Sequence, residues 1–188
     1  MEQTAPIPDK RIVRGAAPTL AGIKTGSLLP CRYESRERLI CRIRQVNSRL
    51  GGKGVRLLPL RIDRGFALLY LYRPDRLRQD LASSEVRALL TEMGYNDLRI
   101  GGCLPVLMRR LRWQEHFPHE IGLFLSYPPE DVRGFICHEG KNSKYTGCWK
   151  VYGDVEQSRR RFERYHRCTE RYCRALAMGV PLERLTVS

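Results

Sequence analysis

The sequence predicts an α+β fold: a small, mainly antiparallel sheet covered by helices, with a long helix near the C-terminal end. Two apolar segments, 55–62 and 66–73, flank a three-residue turn that contains Gly65, which is typical of a β-hairpin. A helical pattern then begins at 154 and runs to about 178, which predicts the long helix. The hairpin and the order of the strands argue against a doubly wound parallel sheet.

The N-terminal part of the chain predicts a loose segment followed by two helices. Residues 1–14 are polar, contain two prolines and are expected to be flexible. A short helix is predicted over 18–29, because Pro18 suits a first helical turn. A second helix is predicted from Ser35, which can cap it, to the glycine-rich segment 51–54 that ends it.

The hairpin strands differ in their expected positions in the sheet. Pro59 has no backbone N–H to donate, so the first strand is predicted to be an edge strand or a bulged one. The second strand is apolar on both faces, which predicts a central position.

Helices and two more strands are predicted beyond the hairpin. One broken helix or two short ones are expected over 75–93, and another helix over 103–112. A short buried strand is predicted near 120–126, and a helix with acidic residues in its first turn over 128–140. A further strand is predicted over 145–152, and both strands are expected to join the hairpin in one sheet.

Length and composition predict the domain organisation and the cellular location. A chain of 188 residues is expected to form one globular domain, 15–188, after the flexible N-terminus. No apolar run approaches the roughly 18 residues of a membrane-spanning helix, and residues 1–15 lack the apolar region of a signal peptide. We therefore expect a cytoplasmic protein with no membrane contact.

Metal and cofactor sites are not predicted. The seven cysteines are irregularly spaced and form no CxxC pair, which favours reduced thiols over a disulfide framework or a zinc finger. Metal-capable side chains do gather in one segment, but their spacing matches no zinc pattern: His119, Glu120, Cys137, His138 and Cys148. We expect no metal and no cofactor.

Positive charge dominates the sequence. The formal net charge is +14, and all but six of the 34 cationic side chains are Arg. At 100° per residue, five arginines of the long helix fall on one side: Arg160, Arg164, Arg167, Arg171 and Arg174. This stripe could bind nucleic acid or another anionic partner. The alternative is a solvated helix face that is partly paired to Glu156, Glu163 and Glu170.

His119 is the candidate general base. On the predicted strand it shares a face with Ile121, whereas Glu120 points to the other face and is not the obvious acid to orient it. A catalytic role needs a reactive group beside His119, for which the candidates are Cys31, Cys103 and Cys148. The alternative is a histidine that caps backbone groups at the entrance of the strand.

Five sequence blocks resemble the signature of one family. They are APTLAGIKTGSLL, FPHEIGLFLSYPPEDVRGFI, GCWKVYGD, CTERYCRAL and LERLTV, in that order along nearly the whole chain. On these blocks the chain resembles an uncharacterised domain-of-unknown-function family of anaerobic Gram-positive bacteria. The family has no assigned activity. The genes of its members often lie near ferrous-iron transport and flavodoxin genes, so the resemblance implies a link to iron or redox metabolism.

Ala16 marks a departure from that family pattern, which commonly has Cys just before the APTLAG block. Cys on an early helix with a later His on a strand is similar to the scaffold of papain-like and cell-wall cysteine hydrolases. By that analogy this chain lacks the nucleophile. The resemblance predicts a pocket in which His119 lies close to Ala16, with Glu120 or Asp131 at its rim.

Three function classes follow, and the first is favoured. The first is a non-catalytic binding or accessory protein, with a protein partner or a small ligand. The second is a hydrolase-like or redox enzyme that uses His119. The third is a nucleic-acid-binding protein that uses the arginine stripe.

Overall fold

The computed structural model describes residues 7–113 and 116–188 and confirms the α+β class. The chain divides into two compact units. The first unit comprises the residues up to Pro74 together with Arg167–Ser188, and the second comprises Asp75–His166. No helix in the described ranges is long and apolar enough to cross a membrane.

The first unit is a three-stranded antiparallel sheet with helices packed on it. Its elements are α1 (Asp9–Leu20), β1 (Gly26–Arg32), α2 (Arg36–Leu50), β2 (Arg56–Asp63), β3 (Phe66–Tyr72), the last part of α8 (Val155–Ala177) and α9 (Leu182–Leu185). The strand order is β1-β3-β2, so the second strand of the predicted hairpin is central, as expected. The pairing of β2 with β3 shifts register between Pro59 and Arg61, which confirms the bulged strand.

Helix α2 confirms the predicted amphipathic helix. Its cap is Ser35, whose hydroxyl accepts a hydrogen bond from the backbone N–H of Arg38 at 3.2 Å. Its buried side is the predicted apolar stripe: Leu39, Ile43, Val46 and Leu50. These side chains pack in one core cluster with α1, the sheet and α9.

The predicted helix over 18–29 is wrong. Pro18 lies in the last turn of α1 rather than in a first turn, and residues 9–14 of the segment expected to be loose belong to this helix. Gly22, at φ 68°, ends it. The N–H of Ile23 donates to the carbonyl of Pro18 at 2.9 Å and closes a Schellman turn. The remaining residues of the predicted helix lead into β1, which pairs with β3. Residues 1–6 lie outside the described residues.

The second unit is mostly helical. Its elements are α3 (Pro74–Ala82), α4 (Ser84–Glu92), α5 (Ile100–Trp113), α6 (Ile121–Phe124), α7 (Pro129–Cys137), β4 (Tyr145–Thr146), β5 (Lys150–Val151) and the first part of α8. The long final helix is confirmed. It begins after Asp154, whose carboxylate accepts from the N–H of Gln157 at 2.9 Å.

The two strands predicted after residue 119 are corrected. The apolar segment near 120–126 contains the short helix α6, because its N–H groups bond to carbonyls three residues back, as Leu123 does to Glu120 at 3.0 Å. The segment 145–152 forms two strands of two residues that pair with each other in a separate sheet. Neither segment joins the sheet of the first unit.

Candidate functional site

His119 lies in the turn that precedes α6, next to aromatic rings. The imidazole centroid is 4.6 Å from the ring of Phe135 and 6.1 Å from the ring of Phe117. Burial lowers the pKa of His119 below its ordinary value of 6.5, and the charge of Glu120 opposes this only partly. Within the described part of the chain, no hydrogen bond joins the imidazole to a thiol or a carboxylate.

Glu120 belongs to a buried polar cluster. The side chain is held by Arg110, at 2.5 Å from a guanidinium nitrogen, and by the hydroxyl of Tyr95, at 3.1 Å. The guanidinium of Arg110 also lies 4.7 Å from the centre of the Tyr95 ring and donates to the carbonyl of Met93. Burial raises the pKa of Tyr95, and the charge of Glu120 raises it further. The expectation that Glu120 lies on a strand is wrong, because the residue directly precedes α6. Its burial is explained by its two partners inside the second unit, Arg110 and Tyr95.

Asp131 also has a structural role. It is buried in the first turn of α7, and one carboxylate oxygen accepts hydrogen bonds from the N–H groups of Tyr152 and Gly153, at 2.7 and 2.9 Å. These bonds hold the segment that follows β5 against α7. A ligand-binding role for Glu120 or Asp131 stays a prediction. To bind a ligand, Glu120 would have to release Arg110 and Tyr95, and Asp131 would have to release the two backbone N–H groups.

Ala16 lies in the interior of α1, seven residues after Asp9, and is fully buried in the core of the first unit. It is not at a helix N-terminus, because α1 begins before the APTLAG block rather than within it. The helix dipole acts mainly in the first and last turns, so it would not acidify a thiol at this position. Ala16 belongs to the first unit and His119 to the second, and their proximity stays a prediction.

Two of the three candidate thiol nucleophiles are in poor surroundings for catalysis. Cys31 and Cys103 are fully buried. Burial raises the pKa of the Cys31 thiol and raises that of Cys103 to about 11. Both thiols are therefore protonated at neutral pH, and a protonated thiol is a poor nucleophile. Cys148 is exposed, in the loop between β4 and β5.

The arginine stripe of α8 is exposed along its whole length. All five of its guanidinium groups belong to exposed residues, and the residues opposite them, such as Phe162 and Tyr165, are buried. The stripe covers about 21 Å, at 1.5 Å of rise per residue. Arg160 lies 3.9 Å from Glu156. By contrast, no acid in the described ranges forms an ion pair with Arg164, Arg171 or Arg174.

A groove of about 520 Å³ lies between α4 and α7 in the second unit. Its lining combines the apolar side chains of Leu89 and Pro129 with the carboxylates of Glu85 and Glu130. The guanidinium of Arg133, which also lines the groove, is already paired with Glu92, at 2.8 and 3.0 Å. The cation of the lining is thus already neutralised, and the groove does not suit an anionic ligand.

Metal ligands do not converge in the described ranges, where no group of three or more His, Cys, Asp or Glu side chains could hold a metal ion. His138, one of the metal-capable side chains, instead stacks on the ring of Tyr152 at 5.5 Å.

The comparison with protein families decides the affiliation of the chain. Residues 12–186 match the family model described as a protein of unknown function, DUF3793. The chain belongs to this family. The resemblance seen in the five sequence blocks is thereby confirmed. No curated protein and no solved structure matches the chain. Membership of DUF3793 assigns no activity.

Sequence reasoning missed two guanidinium groups that are held inside the fold, those of Arg73 and Arg110. The sequence predicts Arg110 only as a residue of the helix over 103–112. Arg73, at the end of β3, is buried and donates to the carbonyls of Thr19, Leu20 and Val187 at 2.7 Å, and to that of Lys53 at 3.3 Å. The available signal was an arginine that directly follows an apolar central strand, since a cation placed there needs acceptors from other elements.

Proposed function

We propose that this DUF3793 protein is a non-catalytic binding protein whose ligand is a polyanion, with nucleic acid as the ligand class. The observation that carries the proposal is the exposed arginine stripe of α8. Arginine suits phosphate because its planar guanidinium donates two parallel hydrogen bonds to two oxygens. The net charge of +14 adds long-range attraction for such a ligand.

The alternative of a merely solvated helix face explains the stripe less well. That alternative expects water to solvate the arginines and Glu156, Glu163 and Glu170 to pair with some of them, and Glu156 does lie near Arg160. It leaves Arg164, Arg171 and Arg174 without an acid partner among the described residues. Three cations of like sign within about 15 Å on one helix repel one another. Phosphates would relieve that repulsion.

The surroundings of the candidate catalytic groups support a non-catalytic role. The pKa of His119 is lowered by burial, and its neighbours are aromatic rings rather than a nucleophile. Cys31 and Cys103 are buried thiols of raised pKa. The carboxylate of Glu120 is held by Arg110. We also infer a cytoplasmic location, because an odd number of cysteines without a CxxC pair favours a reducing compartment.

A salt titration with a matched pair of triple variants tests the proposal. Binding of a labelled 20-base-pair duplex is measured from low to moderate salt for the wild type and for Arg164→Ala/Arg171→Ala/Arg174→Ala. Each neutralised phosphate contributes about −0.9 to the slope of log K against log salt, so the triple variant should lose up to about 2.7 of that slope.

The control removes the same charge elsewhere. Arg36, Arg38 and Arg44 are exposed on α2, and none forms an ion pair with an acid in the described part of the chain. Their triple Ala variant has the same net charge as the α8 variant and should keep the wild-type slope. If both variants lose equal slope, general charge accounts for binding and the α8 site is refuted. If the wild type shows no salt-dependent binding either of the duplex or of its separated strands, the proposed function is refuted.

A further inference from the structure

Trp113 is an exposed aromatic side chain at the end of an otherwise well-buried helix. The apolar side of α5 is in the core of the second unit: Cys103, Leu104, Leu107 and Leu111 are buried. Trp113, in the last turn, is 76% exposed. Its indole is therefore not part of the face that holds α5 in the fold.

Two arginines flank this indole. Arg109 and Arg112 precede Trp113 by four residues and by one, so the three side chains fall within about 100° on the helix surface. Both arginines are exposed, and neither pairs with an acid in the ranges that the structure describes. Arg110, between them in sequence, is instead directed inward to Glu120. The last turn of α5 thus presents one ring and two cations to solvent.

A second exposed ring follows shortly after in the chain. Phe117 is 48% exposed, and His116 beside it is also exposed. One neighbour of the Phe117 ring is the imidazole of His119, at 6.1 Å between centroids. His119, a candidate catalytic residue by sequence, thereby contacts an exposed aromatic side chain.

We propose that Trp113 is a stacking site for an unpaired base, and that the ligand of this protein is therefore single-stranded nucleic acid. The inference rests on the proposed function and narrows its ligand from nucleic acid in general to single strands. An aromatic ring stacks on any base, because every base has a π face, while adjacent cations hold the backbone phosphates. In a duplex these faces are covered by neighbouring base pairs, so a duplex cannot use Trp113 in this way.

The charges and the apolar area favour this ligand over two other occupants. A helix that lies in a membrane interface needs a large apolar face, and the apolar face of α5 is already buried in the core. A second copy of the chain would bring a further net charge of +14 against Arg109 and Arg112. A single strand supplies both a flat apolar face and negative charge.

The test compares three probes on matched variants. The probes are a labelled oligo(dT) of 15 nucleotides, a duplex of the same length, and inorganic polyphosphate whose charge is similar to that of the oligo(dT). Trp113→Ala should weaken oligo(dT) binding about 5- to 150-fold, while duplex and polyphosphate binding stay within twofold. Trp113→Phe should restore most of the oligo(dT) affinity. Met178→Ala is the control, because Met178 is 78% exposed and is expected to bind none of the probes.

A fluorescence measurement gives an independent readout. The chain has two tryptophans, so Trp149→Phe leaves Trp113 as the only indole. Its emission should be quenched by saturating oligo(dT) and unchanged by polyphosphate. Should Trp149→Phe fail to fold, the wild type minus Trp113→Phe difference spectrum reports the same signal.

The outcomes separate the two proposals. If all three probes bind but Trp113→Ala leaves oligo(dT) affinity unchanged, the stacking site is refuted and polyanion binding stands. If no probe binds, both are refuted. A blue shift of Trp113 on anionic phospholipid vesicles without quenching by oligo(dT) would assign the surface to a membrane. Concentration-dependent sedimentation that Trp113→Ala abolishes would assign it to a second copy.

Discussion

The carboxylate of Glu120 and the guanidinium of Arg110 lie 2.5 Å apart in the interior of the second unit. Glu120 is 3% exposed, and the hydroxyl of Tyr95 donates to the same carboxylate oxygen. The pair connects the turn before α6 to α5. In a buried pair each charge depends on its partner for compensation.

Glu120→Gln is expected to lower the free energy of unfolding by about 3–5 kcal/mol, because it leaves Arg110 largely buried without its counter-charge. Urea denaturation measures the change. The control is Glu92→Gln, which breaks the exposed pair with Arg133 and should cost far less, because solvent screens that pair. Equal losses for the two variants would contradict the buried pair as a source of stability.

His119 should make stability depend on pH. Its pKa in the folded protein is below the ordinary value of 6.5, so just below that pH the unfolded chain binds more protons than the folded one. The contribution of the neutral His119 side chain to the free energy of unfolding is therefore fully present above pH 6.5. It is lost as the pH falls toward the lowered pKa. The free energy of unfolding of the wild type should decrease over this range relative to that of His119→Asn. Parallel curves for the two proteins would count against a lowered pKa.

Ala16→Cys should create a thiol of raised pKa. The position is fully buried in the interior of α1, and burial disfavours the thiolate. The introduced thiol should react with iodoacetamide far more slowly than the exposed thiols of Cys41 and Cys137, when labelling is followed by peptide mass spectrometry. A pKa below the ordinary value of about 8.5 would instead support the pocket with His119 that the family resemblance implies.

Arg73→Met is expected to destabilise the protein by more than about 3 kcal/mol, because four backbone carbonyls lose a charged donor in a buried place. Arg32→Met, at an exposed position of β1, is the matched control and should change stability by less than about 0.5 kcal/mol. Urea unfolding measures the loss of unfolding free energy for both variants. A much larger loss for Arg73→Met than for Arg32→Met identifies Arg73 as a structural guanidinium.

Elements with a long regular period were predictable from the sequence. The apolar stripe of α2 and the opposite basic and apolar sides of α8 follow directly from a period of 3.6 residues. The bulge in β2 was predictable because Pro59 has no N–H to donate. The exposure of the α8 arginines was predictable for the same reason, because they fall on the side of the helix opposite its apolar residues.

Short apolar runs and distant partners were not predictable. A run such as 121–125 fits a buried strand and a buried helical turn equally well, and local hydrogen bonds made it α6. Pro18 predicts a helix start, because proline is favoured in the first turn, but it stands in the last turn of α1, which ends at Gly22. The cluster of Glu120 combines residues from separate elements, and no local pattern connects Tyr95 and Arg110 to it.

The hydrogen bond from Arg73 to the carbonyl of Val187 has a consequence for synthesis on the ribosome. The first unit is discontinuous, and the whole of Asp75–His166 must be translated before its last piece begins. At about 5–20 residues per second, these 92 residues take about 5–20 s. During that interval the Arg73 guanidinium lacks one of its acceptors, the carbonyl of Val187, which lies 114 positions further along the chain. Leu182 and Leu185, which complete the core of the first unit, are not yet synthesised either. The unit whose synthesis begins first is thus the last to be completed. Chaperones that act during translation would bind it while its C-terminal part is still missing.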